Sequence, residues 1–118
     1  MSKTITHLHV RGISPRSTVA VLQAGGLTIP CSLGRSGRKH LKREGDGATP
    51  VGKWQLRRLF YRADRMVPPR SGLPPRMIRS FDGWCETVGD RNYNRLVRIP
   101  YATSHEFMQR QDGLYDIV

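Results

Sequence analysis

A chain of 118 residues with 37% hydrophobic content, 12 glycines and 8 prolines has room for one modest core, and loops must take a large share of it. Its net charge of +11, from 20 Lys and Arg against 9 Asp and Glu, suits an anionic partner such as nucleic acid, lipid headgroups or a cell-wall polymer. No apolar run approaches the length of a membrane span, and MSKTITHLHVRG has no apolar stretch after its basic residue, so it does not read as a secretory signal.

In chain order, TITHLHVR (4–11) and STVAVLQ (17–23) are short β-type stretches rich in branched residues. The Ala24-Gly25-Gly26 turn then leads into LTIPCSL (27–33), which alternates strictly: Leu27, Ile29, Cys31 and Leu33 on one face, Thr28, Pro30 and Ser32 on the other. A hairpin is predicted, with Pro30 placing its second strand at an edge or a bulge, because proline cannot donate to a ladder. Residues 34–52 are polar and Gly-rich, a long loop. Lys53 to Tyr61 alternates again, predicting a strand with Trp54, Leu56 and Phe60 on one face. Pro68, Pro69, Pro74 and Pro75 exclude a long helix or a central strand over 62–76. SHEFMQRQ (104–111) predicts one short helix, with Ser104 as N-cap and Glu106 in the first turn. LYDIV (114–118) reads as the opening of a strand.

Gly47 to Lys53 spells G-x-x-x-x-G-K, most of a phosphate-binding loop. Three requirements of such a loop fail. Trp54 stands where a Ser or Thr must hold magnesium, Pro50 removes one donating N–H, and the following residues alternate as a strand does. The nucleotide reading is rejected.

What remains is Thr49-Pro50-Val51-Gly52-Lys53-Trp54, a proline-stiffened turn, a permissive glycine and an aromatic that would bury its ring at a strand's start. REGDGATPVGKWQLRRLFYR (43–62) resembles the T-P-x-G-x-aromatic element of the L,D-transpeptidase catalytic domain (YkuD type). QAGGLTIPCSLGRSG (23–37), FDGWCETVGDRNYNRLVRIPY (81–101) and ATSHEFMQRQDGLYDIV (102–118) are similar to segments of compact bacterial members, in the same order. The resemblance covers the chain from about residue 7 to its end. It implies a single domain over 1–118: mainly β, an L,D-transpeptidase-like β-sandwich or mixed sheet with long loops and one short helix, incomplete at its C-terminus.

In that family a cysteine thiolate attacks the carbonyl between an L-centre and D-alanine in a peptidoglycan stem peptide, and the acyl group passes to an amine on a neighbouring stem. The family signature is a His followed at a distance by Ser/Thr-x-Gly-Cys, and it does not occur here. Cys85 lacks the Ser-x-Gly, and Asp82 and Glu86 beside it would raise a thiol pKa. Cys31 and Cys85 form no C-x-x-C, read as small core residues, and could pair only in an oxidising compartment. His7 and His9 share one strand face but have no third ligand, so no metal is expected, and no cofactor. Asp112 and Asp116, like Asp82 and Glu86, are too scattered for an acid–base couple.

No catalytic residue is therefore assigned. The resemblance implies stem peptides as partners, with Thr49, Pro50, Gly52 and His105 as substrate-binding candidates and the basic Arg35–Arg43 stretch as a candidate wall contact. The family works in the periplasm or cell wall, while the sequence itself leaves the compartment open. The expected chain is the N-terminal part of such a domain, inactive by itself, with an open sheet edge able to pair with another chain. The alternative is a non-enzymatic basic module for nucleic acid or another anionic polymer. Only 8% aromatic content and no RNA-binding signature argue against specific nucleic-acid recognition.

Overall fold

The computed structural model describes residues 4–118, and among them there are short β-strands and no helix. The chain forms two compact units, one up to Trp54 and one from Gln55 onward.

The first unit is built on an antiparallel meander of β1 (His9–Gly12), β2 (Val19–Ala24) and β3 (Leu27–Ser32). Gly25 and Gly26 carry φ of 54° and 98°, the doubly left-handed turn whose twist matches that of the strands it joins. The register sets Val10 opposite Leu22, and Leu22 opposite Ile29. Ala20 faces Cys31 and Ala24 faces Leu27, so the alternation read from the sequence does sort one apolar face. The face is closed only along β2, where Ala20 and Ala24 are buried; Leu27 and Ile29 stay exposed and Cys31 is half-buried rather than a core residue. Pro30 lies on β3, an edge strand of the meander, as a residue with no N–H requires. Within the long loop, β4 (Arg38–Lys39) and β5 (Thr49–Pro50) pair in parallel.

In the second unit β8 (Asp82–Cys85) runs between β9 (Leu96–Arg98) and β10 (His105–Phe107), both antiparallel to it. Beside it β6 (Leu59–Tyr61) pairs in parallel with β7 (Pro75–Met77). Phe60 also exchanges both backbone hydrogen bonds with Val118, at 2.7 and 2.9 Å, so the chain's last residues flank β6. Phe60, Ile78 and Met108 form the core, with Trp84 and Leu96 packed against it.

Three sequence expectations are corrected here. The helix predicted over 104–111 is absent: His105–Phe107 form β10 and the flanking residues are irregular. An isolated eight-residue helix is marginal in water, whereas residues 105–107 gain ladder pairing with β8. Ser104, the supposed N-cap, instead accepts from the Glu86 N–H through its carbonyl and donates its hydroxyl to Glu86. The strand predicted over 53–61 exists only as β6, because residues 53–58 have no neighbouring strand to complete their hydrogen bonds. Trp54 is 62% exposed and Leu56 is also exposed. LYDIV contributes an isolated bridge, Ile117 to Tyr61, rather than a strand.

Two arginines organise the second unit. Arg62 is 1% exposed. Its Nε and Nη2 meet both oxygens of Asp64, at 2.8 and 2.7 Å, and its Nη1 donates to the Arg110 carbonyl. Arg76 grips Asp82 with both Nη atoms at 2.8 and 2.9 Å, and the Arg79 N–H adds a third bond to that carboxylate. Burial alone would raise the Asp82 carboxyl, but these bonds outweigh it and hold the group below its ordinary value. Stability from a depressed carboxylate is complete above its unfolded value of about 3.9 and is lost as pH falls from there through the folded value. Asp82→Asn is therefore expected to cost about 1–3 kcal/mol at neutral pH, by removing the charge that answers half-exposed Arg76 and the Arg79 N–H. In urea titrations at a series of pH values that deficit should shrink below about pH 4; a pH-independent deficit would contradict it.

Candidate functional site

The Thr-Pro turn sits in a loop held by hydrogen bonds throughout. Thr49 Oγ1 accepts from the Gly34 N–H at 2.8 Å, and the Thr49 N–H donates to the Gly37 carbonyl at 2.8 Å. Val51 N–H reaches Lys39 O at 3.0 Å, and Ser36 N–H reaches Gly47 O at 3.0 Å. Gly34 is obligatory, since a Cβ there would lie 2.3 Å from the Gly47 oxygen. Upstream, Asp46 accepts from the N–H groups of Arg43 and Ala48 and pairs with Lys42; these backbone bonds, then the lysine, pull its carboxyl far below the usual range. Pro50 and Gly52 are exposed beside half-buried Thr49. The Trp54 ring lies over Gly52, where a Cβ would come within 2.7 Å of ring carbon Cη2. Trp54 thus covers the glycine's backbone and stays in solvent, where the sequence predicted a ring buried at the start of a core strand.

His105, the remaining candidate, belongs to the second unit. It lies directly opposite Cys85 across β10 and β8. Glu86 N–H bonds Ser104 O and Met108 N–H bonds Asp82 O, so the 85–105 pair is the non-hydrogen-bonded kind, with its side chains closest. The two side chains are nonetheless not coupled. His105 Nδ1 donates to the Thr103 carbonyl at 2.7 Å, and its ring meets Tyr101 edge-on at 6.1 Å. Cys85 is 1% exposed, and its Sγ has Thr103 Oγ1 at 4.0 Å as its polar neighbour. A buried thiol with no base in hydrogen-bond contact is a core residue, as the sequence suggested.

Around this pair runs a polar network that the motifs did not single out. Asp90 accepts from the Asn92 N–H, Tyr101 Oη and Thr103 Oγ1 at 2.8 to 2.9 Å. Those bonds, the Asn92 N–H foremost, lower its carboxyl. Tyr101 also accepts from Asn92 Nδ2, the largest single influence, which lowers its hydroxyl, but the bond to Asp90, burial and the nearby Asp90 charge together outweigh this and the group is raised overall. Asp-x-Asn with an N–H two residues on is the Asx-turn pattern, and it is the one sequence signal for this cluster. Among the described residues no group of three or more His, Cys, Asp or Glu side chains is placed to hold a metal ion.

A family model for the L,D-transpeptidase catalytic domain (YkuD) matches residues 9–114, nearly the whole chain and both units. The chain belongs to that family. No curated protein and no solved structure gave a match.

Within an L,D-transpeptidase domain these observations separate scaffold from candidate contact. The Thr49 hydroxyl accepts from the Gly34 N–H, whereas Pro50, Gly52 and the Trp54 ring present surface to solvent. His105 is half-buried and oriented by a carbonyl, a geometry that leaves its Nε2 as the free ring nitrogen. Replacing Thr49 by Val is expected to cost about 1 kcal/mol in chemical denaturation, by stranding the Gly34 N–H, while Thr49→Ser should restore most of it. A loss for Ser with none for Val would show that the methyl and not the hydroxyl matters.

Proposed function

We propose that this L,D-transpeptidase-family chain engages peptidoglycan stem peptides, with the Pro50–Gly52 turn and His105 among its substrate contacts, and that residues 1–118 alone carry out no acyl transfer. The family match spans both units, which supports reading them together as one L,D-transpeptidase-type domain. The observation that carries the second half is the state of the cysteines. Cys85 is buried with a threonine as its polar neighbour, and Cys31 lies half-buried on β3; neither has a histidine in hydrogen-bond contact. Acyl transfer of this kind needs a thiolate, a base and an oxyanion hole together. The charge of +11 suits a wall polymer and stems that carry carboxylates.

The same charge supports a second reading, a basic module for nucleic acid or another anionic polymer. Its signature would be affinity that falls steeply with added salt through counterion release. The expected outcome is that the 118-residue chain binds purified peptidoglycan fragments in physiological salt, while binding to duplex DNA disappears there. Mass spectrometry should find it unmodified after incubation with a stem-peptide donor or a carbapenem. A covalent adduct would overturn the inactivity proposal, and DNA binding that outlasts peptidoglycan binding would transfer support to the second reading.

A further inference from the structure

Strand β9 has an unused edge. In the β8–β9 ladder Ile99 N–H bonds Phe81 O at 2.8 Å and Cys85 N–H bonds Arg95 O at 3.0 Å. Gly83 and Val97, midway between, are therefore the hydrogen-bonded pair, and the N–H and C=O groups of Leu96 and Arg98 point away from β8. In the sheet order β10-β8-β9 no strand among the described residues lies beyond β9 to take them.

A cleft of about 240 Å³ runs beside this edge, lined by Arg76, Phe81, Asp82, Leu96, Val97 and Arg98. It is smaller than a pocket for a whole ligand and suits the end of a chain. The two guanidinium groups bordering it are in different states. Arg76 is neutralised by its two-pronged bond to buried Asp82. Among the described residues Arg98 has no carboxylate partner; it lies over the Phe81 ring, 4.2 Å from the centroid. Stacking orients the planar head while leaving its N–H edge available for a two-pronged bond to a carboxylate.

We propose that the β9 edge is a docking site for an extended peptide bearing a free carboxylate, with the carboxylate on Arg98 and the peptide backbone paired to Leu96 and Arg98. Added strands of this kind take affinity from main-chain bonds and selectivity from side groups. The proposal rests on the stem-peptide reading above and names where on the chain such a peptide binds.

The test is an NMR titration of the ¹⁵N-labelled 118-residue chain with a synthetic stem peptide ending in D-alanine, as the free acid and fully amidated. The free acid is expected to shift the Leu96 and Arg98 amides and slow their solvent exchange. Amidation, or Arg98→Gln, should weaken binding about tenfold or more, the scale of one charge-assisted contact, and Arg98→Lys should recover part of it. Should Arg98→Gln fail to fold, the two peptide forms on the wild-type chain still decide. Equal binding of acid and amide, or shifts confined to other segments and indifferent to Arg98, would overturn this site and leave the stem-peptide reading standing. No binding of either form at any amide would overturn both.

Discussion

A buried guanidinium is the constraint on which the second unit depends. Arg62 cannot lose its charge, and water is almost wholly excluded from it. Its donors must therefore be answered by protein, and Asp64 together with the Arg110 carbonyl answers them. Meeting that requirement ties β6 to a segment 48 residues further along the chain. The Arg62 carbonyl in turn accepts from the N–H groups of Arg65 and Met66, closing the turn after β6. Arg65 then reaches Asp116 at 3.1 Å and the Gln111 carbonyl at 3.0 Å, which holds the C-terminal residues beside the same strand. With a small core around Phe60, Ile78 and Met108, the unit uses charge satisfaction where a larger one would use apolar volume.

The excess of positive charge is accordingly not one property. Arg62, Arg76 and Arg110 are spent on Asp64, Asp82 and Asp112. Arg58 and Arg76 both lie over the Phe60 ring, so part of the basic character serves the core itself. Arg98, stacked on Phe81 without a carboxylate, is a different kind of arginine, because its charge is positioned but unanswered. Among the described residues Arg62, Arg65, Arg76 and Arg110 are held in ion pairs, while most of the other arginines, Arg98 included, are exposed. The net charge suits an anionic partner, and pairing within the fold decides which side chains could meet one.

Much of the first unit was legible from local chemistry. The Gly25-Gly26 turn, the alternation over 27–33 and the edge position of Pro30 each follow from one residue's backbone requirements. The Thr-Pro loop was legible as a turn and as a family element, but its ladder of β4 on β5 was not, since a two-residue parallel pair leaves no periodicity to read. Strand β8 was hidden for another reason. Its sequence DGWC opens with Asp and Gly, residues depleted from strands, and it persists because β9 and β10 pair on both sides of it and Arg76 satisfies the aspartate.

By itself the sequence determined the family, the β character, the hairpin, the failure of the phosphate-loop motif and the lack of a Ser/Thr-x-Gly-Cys nucleophile. These depend on residue identity and on contacts a few positions apart, where backbone stereochemistry leaves few choices. The tertiary structure alone decided that His105–Phe107 form a strand where a helix was expected, that Trp54 stays in solvent over Gly52, that Cys85 and His105 face each other without bonding, and that among the described residues Arg98 has no carboxylate partner. Each of these turns on which distant group arrives to satisfy a hydrogen bond or a charge, and that partner is chosen by the fold rather than by its neighbours in the chain.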